Sequence, residues 1–168
     1  FVDSPREFLV YGIDETFLKQ NPELYQMGLA EFRKFSTQFP SGKEILIYQA
    51  HPFRPGISPA PLDLIDGIEV YNGNPRQNSN NQMALAFAQQ NKLRMISGSD
   101  FHRLPDLARG GLILPEAVAD TRALVRVLKQ NEGITLITDD HVPFSILRLV
   151  TCAGNLVKKL VHQRNEDF

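Results

Sequence analysis

The sequence predicts an α/β fold built from parallel βα units. Three observations carry that expectation. Short runs rich in β-branched and aromatic residues alternate with stretches of helical apolar spacing; the alternation repeats along most of the chain; and the residues with metal-ligand chemistry follow the ends of the apolar runs. Parallel neighbours need a long crossover, usually a helix, so repeated strand–helix–strand order points to a parallel sheet with chemistry at its C-terminal rim.

Phe8 to Ile13 is aromatic and β-branched and stops at Asp14-Glu15, which predicts a buried strand. Asn21-Pro22-Glu23 supplies a cap, a first-turn proline and an acid near the positive end of the helix dipole. Leu24, Met27, Leu29, Phe32, Phe35 and Phe39 then recur at helical spacing until Pro40-Ser41-Gly42. Glu44 to Tyr48 is the second strand and runs into Gln49-Ala50-His51-Pro52, where Pro52, Pro55, Pro59 and Pro61 keep the connection irregular. Ile68 to Tyr71 is a short strand, and Asn74-Pro75 opens a helix whose apolar face carries Met83, Leu85, Ala86 and Phe87. Leu93 to Ile96 is another strand, ending in Ser97-Gly98-Ser99-Asp100-Phe101-His102. Gly111 to Leu114 and Gly133 to Thr138 read as strands around a helix from Glu116 to Gln130. From Phe144 to His162, Leu147, Val150, Ala153, Leu156, Val157, Leu160 and Val161 form one helical stripe, with Arg148, Lys158 and Lys159 on or beside the polar side. Residues 1–143 are thus expected to form one domain, with 144–168 a helix packed on or next to it.

Composition narrows the function. With 168 residues, 42% of them hydrophobic and 22% charged, the chain can bury its own core. A net charge of −1 and no basic run longer than Lys158-Lys159 argue against a nucleic-acid scaffold. A lone Cys152 excludes an internal disulfide. No apolar stretch suits a membrane span, and Phe1-Val2-Asp3-Ser4-Pro5-Arg6 lacks signal-peptide order, so a cytoplasmic protein is expected.

His51 follows one strand, and Asp100 and His102 follow another, which places all three on one rim. Residues two apart in an extended run point the same way, so Asp100 and His102 converge while Phe101 turns aside. Two imidazoles and a carboxylate suffice for a catalytic divalent metal with open positions, and the absence of thiolate suits zinc, manganese or iron. A single strand-end histidine is ordinarily a hydrogen-bonded core or surface residue; the Gly-Ser-Asp-x-His loop together with a second His-Pro reverses that expectation. Glu69 reads equally as a satisfied carboxylate or as a group orienting a ligating imidazole. Arg54 and Arg103 can meet an anionic substrate, although loop arginines are more often simply solvated. His141 also follows a strand and is a candidate fourth rim residue, but reads first as part of a helix-entry loop before Pro143, and His162 reads as a solvated helix residue.

The runs His51-Pro52-Phe53-Arg54, Gly67-Ile68-Glu69-Val70-Tyr71-Asn72-Gly73 and Ile96-Ser97-Gly98-Ser99-Asp100-Phe101-His102 resemble, in order and spacing, the polymerase and histidinol phosphatase (PHP) superfamily of metal-dependent phosphoesterases. The resemblance spans Phe8 to Leu128. It implies a distorted (β/α)7 TIM-like barrel with up to three divalent metal ions at its C-terminal rim, hydrolysing phosphate esters of a small molecule or nucleotide with a metal-activated water. By position, His51, Asp100 and His102 resemble the family's metal ligands, and Glu69 has a counterpart beside the site. The strand Arg6 to Gly12 resembles one that often carries a further ligating histidine, a place held here by Glu7, which can ligate through oxygen or be a solvated strand-start residue.

The family opens with a His-x-His strand that this sequence lacks; the chain begins at Phe1 rather than Met. Most of a barrel with its first strands missing is therefore expected, impaired or inactive by itself, with exposed sheet edges that invite pairing with a second copy. Two other readings compete: a non-catalytic PHP-like module for binding or assembly, and another metal-dependent barrel hydrolase such as an amidohydrolase.

Overall fold

A computed structural model describes residues 5–38 and 44–139. Its strands are β1 (Phe8–Tyr11), β2 (Leu46–Gln49), β3 (Gly67–Asn72), β4 (Arg94–Gly98), β5 (Gly111–Ile113) and β6 (Thr135–Ile137). Among the described residues four α-helices accompany them: α1 (Glu15–Gln20), α2 (Leu29–Ser36), α3 (Asn81–Asn91) and α4 (Thr121–Gln130). The expected helix from Phe144 to His162, the stop at Pro40-Ser41-Gly42, Phe39, His141, Cys152 and His162 lie outside the described residues.

The expected parallel sheet and (β/α)7 barrel are corrected. A four-stranded sheet runs in the order β1-β2-β3-β4, beside a two-stranded β5-β6 sheet, and no barrel closes among the described residues. β2, β3 and β4 are parallel, whereas β1 is antiparallel to β2, with Phe8 opposite Gln49 and Tyr11 opposite Leu46. β5 and β6 are antiparallel as well, with Gly111 opposite Ile137. Strand–helix alternation does not by itself set strand direction. One long helix after β1 would carry the chain back along the strand; instead α1, a 3₁₀ turn at Pro22–Gln26 and α2 form a broken connection that returns to the end it left. Among the described residues only β3-α3-β4 is a helix-linked parallel unit of the expected kind, because β2 and β3 are joined by a loop whose sole helical element is a 3₁₀ turn at Leu62–Leu64.

Helix starts shift for local reasons. The helix expected to open at Asn74-Pro75 begins at Asn81, because Asn74 and Asn78 accept the N–H groups of Arg76 and Asn80 in side-chain turns that compete with helix. α4 starts at Thr121 rather than at Glu116, since Asp120 accepts the Ala123 N–H at 2.8 Å as its N-cap.

Strand alternation sorts the core onto two faces. Ile47, Ile68 and Val70 pack with Leu29 and Phe32 of α2 and Ala88 of α3. Leu46, Tyr48 and Ile96 pack with Val125 and Leu128 of α4. Glu69 alternates with Ile68 and Val70, so it leaves the sheet on the second face and is nonetheless buried. Among the described residues no helix is long and apolar enough to cross a membrane.

Candidate functional site

The parallel strands β2, β3 and β4 end together, and the loops after them carry His51, Asn72-Gly73-Asn74 and Asp100-Phe101-His102. The antiparallel setting of β1 brings its beginning to the same rim, where the Ala50 N–H donates to the Glu7 carbonyl at 2.9 Å. A parallel β1 would have carried Glu7 to the opposite end of the sheet. Opposite direction, then, is what joins Glu7 to His51.

Two of the rim residues adopt left-handed backbone, His51 at φ 29° and Asp100 at φ 47°. Neither is glycine, and such conformations persist only where the surroundings impose them. At His51 the constraint is Glu69, whose Oε2 accepts the His51 backbone N–H at 2.9 Å and the Asn72 amide at 3.0 Å. At Asp100 it is Asn74, whose side-chain amide donates to the Asp100 carbonyl at 3.4 Å and to its Oδ2 at 3.2 Å. Glu69 therefore acts on His51 through the backbone rather than through the ring. Burial pushes the Glu69 carboxyl above its ordinary range, and the bonds from Asn72 and His51 offset only part of that. Its other oxygen lies over Gly98, where a β-carbon would collide with it, which is one reason for a glycine at the end of β4.

His51 is 3% exposed, and its Nε2 stands 3.4 Å from Glu7 Oε2. Its Nδ1 is buried without a hydrogen-bond partner. Asp100 divides its oxygens. Oδ1 faces His102 Nε2 at 3.0 Å, while Oδ2 accepts from Arg54 Nη2 at 2.6 Å and from Asn74. Burial raises the Asp100 carboxyl, but the bonds from Arg54 and Asn74 outweigh it and hold the group below the usual carboxylate range. The His102 ring is largely exposed, with 67% of its side chain open to solvent. The Arg54 guanidinium is engaged rather than free, since Nη2 also reaches Asn72 Oδ1 at 3.4 Å and Ser79 Oγ at 3.3 Å. Arg103 is exposed and joins the site through its backbone.

Asn72, Asn74, Arg76, Ser79 and Asp106 take part here and were not singled out from the sequence as site residues. Asp106 is fully buried, bound by both Arg76 terminal nitrogens at 2.6 and 2.8 Å and by the backbone N–H groups of His102 and Arg103 at 3.0 and 2.8 Å. The signal was present in Arg103-Leu104-Pro105-Asp106, an acid three residues after a turn start with proline between, which is a capping pattern. The Arg76 pair, followed by the backbone donors, holds the Asp106 carboxyl far below its ordinary value despite burial. A depressed folded-state pKa stabilises the fold above the unfolded value and is lost as pH falls through it. Urea unfolding midpoints are therefore expected to drop as pH falls below about 4, with a shallower drop in Asp106→Asn.

The two imidazole–carboxylate pairs carry donor atoms of the kind that divalent ions take. Ligands bound at about 2.1 Å stand about 3.0 to 3.4 Å from each other in octahedral or tetrahedral geometry. His102–Asp100 and His51–Glu7 match those separations at 3.0 and 3.4 Å. Among the described residues no group of three or more His, Cys, Asp or Glu side chains is arranged to hold a metal ion, so each pair brings only part of a ligand shell. A separate cleft of about 540 Å³ lies at the opposite end of the sheet, lined by Gly12, Asp14, Glu44, Arg122, Arg126 and Lys129, and holds none of these donors.

Fold and site define an α/β protein with a mixed sheet and a polar, charge-paired rim at its parallel strand ends. Comparison with known families adds the relation: a family model described as PHP-associated matches residues 78–132. Over that stretch, about a third of the chain, the match bears out the resemblance to PHP proteins. The matched stretch takes in α3, β4, the Asp100–His102 loop and α4, while Glu7, His51, Arg54 and Glu69 fall outside it. No curated protein matches the chain.

Proposed function

We propose that this chain contributes the strand-end rim of a PHP-type, metal-dependent phosphoesterase acting on a phosphorylated small molecule or nucleotide. The observation that supports it most is the presence of two imidazole–carboxylate pairs on one rim, with the separations of neighbouring metal ligands, one beside each residue of left-handed backbone. A divalent manganese, zinc or iron ion at such a site polarises a phosphoryl oxygen and offsets the charge that develops during hydrolysis. The chain's own residues do the rest. Arg54 and Asn74 keep Asp100 ionised and fix which oxygen faces His102. Glu69 holds His51 in place from behind, and the exposed Arg103 is available to an incoming ester anion.

A second reading, a non-catalytic PHP-like module for binding or assembly, is favoured by the Arg54 cation already seated on Asp100 and by the absence of a three-donor group among the described residues. Hydrolysis of an aryl phosphate with manganese or zinc, by this chain alone and by the chain supplied with a His-x-His strand, separates the two. The phosphoesterase reading expects metal-dependent turnover in the supplied chain that falls at least about 100-fold in His51→Ala. No turnover in either, in chains shown to be folded, overturns it in favour of the module.

A further inference from the structure

We propose that Arg76 and Asp106 are a positioning pair, clamping the His102 and Arg103 amides so that the turn after β4 presents the His102 imidazole to Asp100. The hydrogen bonds close a ring through two loops. Asp100 Oδ1 meets His102 Nε2; the His102 N–H donates to Asp106 Oδ2; Asp106 is gripped by Arg76; the Arg76 N–H donates to Asn74 Oδ1; and the Asn74 amide returns to Asp100 Oδ2. Every link is a bond of 3.2 Å or less. The loop after β3 thereby sets the loop after β4.

Two features make the pair more than a stabilising ion pair. The His102 side chain is 67% exposed, so no packing fixes its ring, and its direction rests on its backbone and on the bond to Asp100. Asp106, by contrast, has no exposed surface, and its two oxygens are committed to a bidentate guanidinium and two adjacent amides, a planar match that a lysine does not reproduce. The inference takes the Asp100–His102 pair to be functional, and so rests on the reading above.

Its test needs neither metal nor substrate. In the full chain, labelled with nitrogen-15, ring nitrogen shifts of His102 and amide exchange at His102 and Arg103 are compared between wild type, Arg76→Lys and Arg76→Ala. Arg76→Ala is expected to speed exchange at both amides at least about 10-fold and to move the ring shifts to those of a free imidazole, with Arg76→Lys intermediate. Wild-type ring shifts and protection in folded Arg76→Ala would overturn the proposal. Should Arg76→Ala not fold, Asp106→Asn is read the same way: loosened His102 signals support the clamp, and unchanged ones overturn it. An intact clamp response with no phosphatase activity even when a His-x-His strand is supplied would reject the phosphoesterase reading alone.

Discussion

Gly67→Ala is expected to destabilise the sheet by about 3 kcal/mol or more, enough to lower the urea midpoint by over about 1 M. Gly67 begins β3 and lies between Tyr48 on β2 and Arg94 on β4. A β-carbon there would run into the Tyr48 ring on one side and the Arg94 carbonyl on the other. Neither can retreat. The carbonyl is strand backbone, and the Tyr48 ring is 1% exposed, fixed edge-on against Tyr11 with centroids 5.7 Å apart. Gly56→Ala is the control, since Gly56 has φ 84° but no atoms near its missing β-carbon. It should show only the conformational cost, about 1–2 kcal/mol. A Gly67→Ala chain within about 1 kcal/mol of wild type would mean that β2, β3 and β4 are not packed in this register.

Asp100→Ala is expected to cost about 2–4 kcal/mol and to abolish any hydrolysis. Removing the carboxylate leaves the Arg54 guanidinium, whose side chain is only 17% exposed, without its ionic partner, and its Nε already lacks one. The same change releases Asn74 and His102. Asp100→Asn retains an acceptor and should cost clearly less. Adding Arg54→Ala to Asp100→Ala removes the stranded cation, so the double substitution should cost less than the two singles summed. Urea denaturation of the four chains measures this, and strict additivity would show that the pair does not interact.

The strands were legible in the sequence because each is a short β-branched or aromatic run, and all six described strands start within two residues of where those runs predict. Their directions were not. The antiparallel placement of β1 depends on a connection broken into α1, a 3₁₀ turn and α2, whereas apolar spacing from Leu24 to Phe39 reads as one helix opened by Asn21-Pro22, missing α1 and the restart at Gly28. The metal-ligand candidates were legible because strand ends collect polar chemistry. What holds them was harder to see. Asn74 and Arg76 read as a helix start, since Asn-Pro suits one, and their role depends on contacts with a loop some 26 to 30 residues further along the chain. Asp106 gives no composition signal of burial, because a carboxylate goes fully inside only when partners distant in sequence satisfy it.

The most direct test of the rim as a divalent-metal site is a manganese titration of the full chain, following free ion by its paramagnetic resonance signal. Saturable binding is predicted for the wild type, weakened at least about 10-fold by His102→Ala and by His51→Ala. Binding no tighter than that of a folded chain carrying both substitutions would contradict it.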